Sequence, residues 1–177
     1  MLADKIKQTL RDVPDFPKPG IIFKDITPVL KDSALCAEIT TALAAQLKEI
    51  KIDVVAGIES RGFLFGLALA QVLNVPFVPI RKAGKLPYKT IQQSYNLEYG
   101  SATLEVHEDA FLSGQQVLIH DDLLATGGTV VAASKLVEQL NAEVAGYSFL
   151  ISLDFLKGKE RLNSFSKNTF SLTNFTQ

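Results

Sequence analysis

The stretch Val117-Leu118-Ile119-His120-Asp121-Asp122-Leu123-Leu124-Ala125-Thr126-Gly127-Gly128-Thr129 decides the fold and carries the clearest chemical signal in the chain. An apolar run leads into two adjacent acids, and a short loop rich in Gly and Thr follows. This order is typical of a buried parallel strand, a tight loop and the start of a helix. Ligands of open α/β sheets bind beyond the carboxyl ends of the strands, so the acids are expected to face a ligand.

The loop after the acids is suited to a phosphate. Backbone N–H groups at a helix N-terminus, together with the helix dipole, favour an anion. Glycines let the backbone approach the ligand closely, and threonine hydroxyls add donors. The predicted phosphate-binding residues are Ala125, Thr126, Gly127, Gly128 and Thr129.

Asp121 and Asp122 would repel that same phosphate, so their presence needs a reason. A ribose 5-phosphate supplies one, because its two vicinal hydroxyls can donate to the acids while its phosphate lies in the loop. The acids would also favour positive charge developing at the anomeric carbon. The alternative is a surface turn with a helix cap, since Asp, Gly and Thr are common turn residues.

The sequence on both sides of this stretch predicts an α/β fold. Short apolar runs rich in β-branched or aromatic residues lie at 52–58, 77–80, 117–119 and 144–153, and helical runs at 63–73 and 129–140 alternate with them. This alternation predicts a mostly parallel sheet flanked by helices on both faces. The insert at 83–107 begins with a polar loop and ends with the alternation of a strand.

The N-terminal part of the chain predicts two helices. Leu2, Ile6, Leu10 and Val13 follow helical spacing, so a helix is expected over 2–12. Prolines and a glycine at 14–20 then hold the chain extended. A second helix is expected to begin at Asp32 or Ser33 and to run to position 50.

Composition limits the classes of function. The 177 residues are 47% hydrophobic and 21% charged with a net charge of −1, as in one folded domain over 1–177. The absence of a basic excess argues against nonspecific nucleic-acid binding. No signal peptide or membrane span is expected, so the predicted location is cytoplasmic. The single cysteine, Cys36, is expected in the core rather than as a reactive thiol.

Five segments together resemble the type I phosphoribosyltransferase family, in its adenine-specific branch. The first is Val117–Thr129, and the others are FPKPGIIFKDITPVL at 16–30, GIESRGFLF at 57–65, IRKAGKLP at 80–87 and SYNLEYG at 94–100. The resemblance spans about residues 2–163. It implies the type I phosphoribosyltransferase fold, with a small N-terminal hood at 1–30 that binds the base and a flexible catalytic loop at 83–100 that acts as a lid.

The resemblance also implies a reaction. A 5-phosphoribosyl group would pass from phosphoribosyl pyrophosphate to adenine, giving AMP and pyrophosphate in purine salvage. Mg²⁺ would be bound to the substrate rather than to a metal site of the protein. The enzyme would be a homodimer with no nucleic-acid or membrane partner.

Several polar residues gain roles from the resemblance. The pyrophosphate would be bound by Glu59, Ser60, Arg61, Arg81, Lys82 and Lys85, and a non-proline cis peptide is expected near Glu59-Ser60. The catalytic residues would be Arg61, Asp121, Asp122 and Glu98, with Glu98 handling a proton of adenine. Tyr99 would pack over the closed site. From the sequence alone, Arg61, Glu98 and the 81–85 cations could equally be solvated surface charges.

The resemblance places adenine between Ile22, Leu123 and Leu153, with backbone groups near Ile22 and Lys24 reading its edge. Lys24 stands where the family commonly has Arg, so contact through its side chain or its backbone stays open. His120 replaces the usual apolar residue and is expected to be a hydrogen-bonded core histidine, or else the partner of a carboxylate.

Two other functions fit parts of the pattern. The same fold could act on hypoxanthine, guanine, xanthine or orotate, although the segment at 16–23 favours adenine. The chain could also be a regulator that senses phosphoribosyl pyrophosphate without catalysis. Such regulators usually carry a nucleic-acid-binding surface or an added domain, which this sequence does not predict.

Overall fold

The computed structural model describes residues 1–97 and 100–176 and contains the predicted α/β architecture. A seven-stranded sheet has the order β5-β6-β4-β3-β7-β8-β9. Its strands are β3 (Val54–Ile58), β4 (Phe77–Lys82), β5 (Thr90–Asn96), β6 (Ser101–His107), β7 (Gln116–Leu124), β8 (Glu143–Leu153) and β9 (Thr169–Phe175). The pairs β3–β4, β3–β7, β7–β8 and β8–β9 are parallel, whereas β6 is antiparallel to both β4 and β5.

Helices cover both faces of the sheet, as the alternating pattern predicts. The helices are α1 (Leu2–Thr9), α2 (Thr27–Leu30), α3 (Ser33–Gln46), α4 (Gly62–Leu73), α5 (Gly128–Gln139) and α6 (Gly158–Leu162), with a 3₁₀ turn at Asp154–Leu156. Helices α3 and α4 contribute to one buried apolar cluster, and α5 contributes to a second. Helix α3 begins after Asp32, whose carboxylate accepts from the Leu35 N–H at 2.9 Å, and ends four residues before the expected position.

The N-terminal segment differs from the predicted single helix over 2–12. Helix α1 ends at Thr9, and strand β1 (Arg11–Pro14) pairs antiparallel with β2 (Ile22–Asp25). The spacing of Leu10 and Val13 continued the helical pattern, but pairing with β2 holds this stretch extended. Together, α1, β1, β2 and α2 form a small layer beside the main sheet.

The insert also contains more regular structure than the sequence predicts. Within the expected catalytic loop at 83–100, Thr90–Asn96 forms β5 and pairs along its length with β6. Among the described residues of this range, 83–89, 97 and 100 lie outside the strands. Strand β9 was not predicted, and it closes the sheet beside β8. No helix in the described part of the chain is long and apolar enough to span a bilayer.

Candidate active site

The two acids lie near the carboxyl end of β7, which extends past the predicted apolar run and includes both of them. Asp122 is 3% exposed, and its Oδ2 lies 3.1 Å from Nε of Arg61, the residue that precedes α4. Asp121 accepts from the Asp122 N–H through Oδ1 at 2.9 Å. Strand β7 thus places the acids at the sheet edge beside the β3–α4 loop.

Both acids resist ionisation. Burial raises the pKa of Asp121 well above its usual 3.8, and the negative charge of Asp122 raises it further. Burial also raises the pKa of Asp122, although the positive charge of Arg61 lowers it in part. The pair therefore favours a cation or a hydrogen-bond donor between its carboxylates.

The phosphate loop runs directly from the acids into α5. Gly127 caps α5 with a φ of 80°, a left-handed conformation that suits glycine, and no described side chain caps the first turn. The first N–H groups of α5 are consequently open to an external acceptor. An anion at Thr126–Thr129 would satisfy them.

Helix α6 packs against this loop, a contact that the sequence did not predict. Arg161 donates through Nη1 to the Thr126 carbonyl at 3.0 Å. Gly158 packs so closely that an added Cβ would overlap the Ala125 carbonyl oxygen and would lie 3.1 Å from the Gly127 nitrogen. A glycine two residues after Leu156 carried no motif signal, since its constraint comes from a loop distant in sequence.

Glu59 accepts hydrogen bonds from three basic residues at 81–85. Its carboxylate accepts from Lys85 Nζ at 2.6 Å, from the Lys82 N–H at 2.9 Å and from Arg81 Nε at 3.2 Å. Burial raises its pKa, but these three donors outweigh that effect and lower the pKa to about 2. The Glu59-Ser60 peptide bond is cis, as expected.

One cavity of about 370 Å³ connects the predicted base-binding residues with Arg61 and the phosphate loop. Its lining includes the predicted base-binding residues Ile22, Lys24, Leu123 and Leu153, together with Arg61, Ala125, Thr126, Gly128 and Thr129. Apolar side chains thus border one end and the phosphate loop borders the other. The cavity brings the predicted adenine residues and four of the five loop residues at 125–129 into one space.

Two basic residues that line this cavity, Arg61 and Lys24, contact aromatic rings. The Arg61 guanidinium lies 4.7 Å from the ring centroid of Phe23, a residue that sequence reasoning did not select. Lys24 Nζ lies 2.7 Å from Asp12 Oδ1 and 4.4 Å from the ring centroid of Phe175. Because the Lys24 ammonium already has these partners, its backbone is the more available group for a ligand.

His120 is fully buried, as predicted, but the predicted hydrogen bond is missing. Neither ring nitrogen has a hydrogen-bond partner among the described residues. Burial lowers its pKa to about 4, against a small opposing effect from the backbone at Ser148. His120 is neutral at pH 7 and adds no charge beside the acids.

Two predicted site residues, Glu98 and Tyr99, lie outside the described residues. Their roles stay predictions. Within the described ranges 1–97 and 100–176, no group of three or more His, Cys, Asp or Glu side chains is arranged to hold a metal ion.

Known proteins are similar to nearly the whole chain. The phosphoribosyl transferase domain family matches residues 27–175. An adenine phosphoribosyltransferase from Cytophaga hutchinsonii is 53% identical over 175 residues, which cover 99% of this chain and 97% of that relative. The chain belongs to the adenine phosphoribosyltransferase family.

Solved structures of adenine phosphoribosyltransferases agree with this assignment. The protein from Thermoanaerobacter pseudethanolicus is 51% identical with a TM-score of 0.95, covering 99% of this chain and 100% of that chain. The protein from Saccharomyces cerevisiae is 43% identical with a TM-score of 0.91, covering 97% and 98%. That yeast enzyme is complexed with adenine and an imino-altritol bisphosphate.

Proposed function

We propose that this protein transfers the 5-phosphoribosyl group of phosphoribosyl pyrophosphate to adenine, giving AMP and pyrophosphate in purine salvage. The carbon–oxygen bond to pyrophosphate breaks at the anomeric carbon, a bond to N9 of adenine forms, and the N9 proton leaves. The observation that carries this proposal is the single cavity bordered by Ile22, Leu123 and Leu153 at one end and by Thr126–Thr129 at the other.

The acids hold the sugar in this proposal. Ribose hydroxyls donate to Asp121 and Asp122 while the 5-phosphate binds the N–H groups at the start of α5. As the leaving group departs, positive charge grows on the ribose ring, and the adjacent carboxylates stabilise it. The acid pair therefore favours the transition state more than the ground state.

The leaving group lies towards the cations in this proposal. Arg61 lies in the β3–α4 loop, and Arg81, Lys82 and Lys85 donate to Glu59 of the same loop, which binds the side chains of Arg81 and Lys85. We propose that Mg²⁺ enters bound to phosphoribosyl pyrophosphate, whose oxygens are the hard ligands it prefers. The ion would neutralise part of the pyrophosphate charge.

Adenine recognition falls to the N-terminal layer. Strand β2 has one partner strand, so alternate residues direct their backbone groups away from β1. Ile22 and Lys24 are two residues apart and share one side of β2. We propose that their backbone groups read the edge of adenine, whose 6-amino group donates where the 6-oxo group of hypoxanthine accepts.

We propose that Glu98 accepts a proton from the imidazole side of adenine. Glu98→Gln is then expected to lower kcat about 100-fold, within the usual range for general acid–base catalysis, and to leave the KM for phosphoribosyl pyrophosphate nearly unchanged. Steady-state kinetics across pH measures both. Glu108→Gln, at an exposed position directly after the insert, is the matched control. Full turnover by Glu98→Gln at every pH would contradict the role.

A competition assay tests the overall function. The protein is mixed with phosphoribosyl pyrophosphate and equal amounts of adenine, hypoxanthine, guanine, xanthine and orotate, with and without Mg²⁺. AMP is the expected main product, formed only with Mg²⁺. A preference for hypoxanthine would reject the adenine assignment. Binding of phosphoribosyl pyrophosphate without pyrophosphate release on adding any base would indicate a regulator.

The homodimer and the cytoplasmic location are part of the same proposal. Leu64 and Leu67 are about half exposed on α4, and a second copy of the chain could cover them. Sedimentation equilibrium tests the dimer. Cell fractionation tests the location, and recovery in a membrane fraction would contradict it.

A further inference from the structure

Glu105 is a buried carboxylate outside the site described above. It lies in the middle of β6 and is 2% exposed. It pairs in register with Arg81 of β4 on one side and with Gln92 of β5 on the other. A buried carboxylate costs free energy unless several donors satisfy it, so its partners indicate its role.

Those partners come mainly from the turn at 84–86. Oε1 of Glu105 accepts from the Lys85 N–H and the Leu86 N–H, each at 2.8 Å. Oε2 accepts from Gln92 Nε2 at 3.2 Å and from Thr90 Oγ1 at 3.4 Å. Burial raises the pKa of Glu105, but the backbone donors at 84–86 outweigh it, so the carboxylate is ionised at neutral pH.

The same turn is held from the opposite side by Glu59. Lys85 donates its ammonium to Glu59 and its backbone N–H to Glu105. Arg81 donates through Nε to Glu59 and through Nη1 to the Lys85 carbonyl at 3.3 Å. Two carboxylates, one in the β3–α4 loop and one in β6, therefore hold the turn at 84–86 and the side chains of Arg81 and Lys85. Glu59 binds their side chains, whereas Glu105 binds the backbone.

We propose that Glu105 is a positioning residue that holds the turn at 84–86 so that Arg81 and Lys85 face the pyrophosphate of the substrate. This inference rests on the proposed function. A merely structural role would have Glu105 satisfy two buried N–H groups and stabilise the fold, without favouring one ligand over another. The two roles differ in what they predict for ligands with and without a pyrophosphate.

AMP and phosphoribosyl pyrophosphate make that distinction. Both carry a ribose 5-phosphate, but only phosphoribosyl pyrophosphate carries the leaving group. In titration calorimetry, Glu105→Leu is expected to weaken the binding of phosphoribosyl pyrophosphate about 10- to 100-fold, because charge-assisted contacts would be misplaced. The affinity for AMP is expected to change less than about twofold. Glu105→Gln is expected to restore most of the affinity, because its amide oxygen can still accept from both N–H groups.

Further variants keep the inference testable if Glu105→Leu folds poorly. Glu105→Asp keeps the charge but is one methylene shorter, so it is expected to weaken the binding of phosphoribosyl pyrophosphate more than the binding of AMP. Glu108→Leu changes an exposed residue directly after β6, and it is expected to bind both ligands with wild-type affinity. Equal weakening of both ligands, or unchanged binding in Glu105→Asp and Glu105→Leu, would overturn the positioning role. A wild-type protein that binds both ligands but forms no AMP would reject the proposed function alone, since the ligand comparison does not need turnover.

Discussion

Asp121→Asn is expected to lower kcat/KM for phosphoribosyl pyrophosphate about 1000-fold while raising the melting temperature. The loss follows from removing one of the two charges that face the anomeric carbon, and single electrostatic groups of this kind contribute about 100- to 1000-fold. The asparagine oxygen can still accept from the Asp122 N–H, so the local geometry should persist. Steady-state kinetics and thermal melts at pH 7 measure the two effects.

The gain in stability follows from the raised pKa of Asp121. Its folded-state pKa lies above the unfolded value of 3.8, so the folded state binds more protons in the window above 3.8. The stability linked to this proton is present below pH 3.8 and is lost as the pH rises through the folded pKa. As the pH rises, an uncharged asparagine at this position avoids both the buried charge of Asp121 and its repulsion with Asp122, which is the reason for the expected rise in melting temperature.

The pH profile gives a second test of the same variant. In the wild type, kcat/KM should fall on the acid side as the pair takes up a proton, because a protonated carboxyl no longer stabilises the ribose cation. Asp121→Asn leaves Asp122, whose pKa is raised less, so the acid limb should move to lower pH. Asp109→Asn, at an exposed position, is the control. A variant with wild-type kcat/KM, or one that melts earlier, would contradict this account.

The sequence predicts the central part of the fold because its signals are local there. The strands predicted at 52–58 and 117–119 and the helices predicted at 63–73 and 129–140 each follow from a contiguous pattern of residues, and they are observed as β3, β7, α4 and α5. Residues 11–12 belong to the helix predicted over 2–12, since the spacing of α1 continues to Leu10 and Val13, whereas the stretch at 11–14 forms β1. It is a strand because of its pairing with β2, and that pairing is a tertiary contact that periodicity does not report.

The site divides in the same way. The acids and the loop at 125–129 are contiguous in sequence, so their chemistry could be inferred from their order. Glu105, Gly158 and Arg161 have polar or small side chains with unremarkable neighbours in sequence, and their partners lie 13 or more residues away. Only the packing of β6 and α6 against the site indicates what these residues do.

Gly158→Ala is expected to weaken the binding of both AMP and phosphoribosyl pyrophosphate more than 100-fold, because a misplacement of about 1 Å at a site can cost that much. The added Cβ would overlap the Ala125 carbonyl and press on the Gly127 nitrogen, which are backbone atoms rather than the end of a flexible side chain. The loop at 125–127 must therefore shift. Overpacking of this kind also lowers stability by about 1–3 kcal/mol. Calorimetric titrations and thermal melts measure both effects.

Gly114→Ala separates the loss of binding from the loss of stability. Gly114 has a φ of 79° with no atom near its added Cβ, so alanine there is strained by about 1–2 kcal/mol without touching the site. It is expected to melt earlier than the wild type and to bind both ligands normally. If Gly158→Ala also melts earlier but binds AMP normally, the loop at 125–127 does not hold the 5-phosphate. Because both ligands carry that phosphate, a displaced loop at 125–127 must weaken the binding of both. A substitution at Glu105 must weaken the binding of phosphoribosyl pyrophosphate and leave the affinity for AMP unchanged.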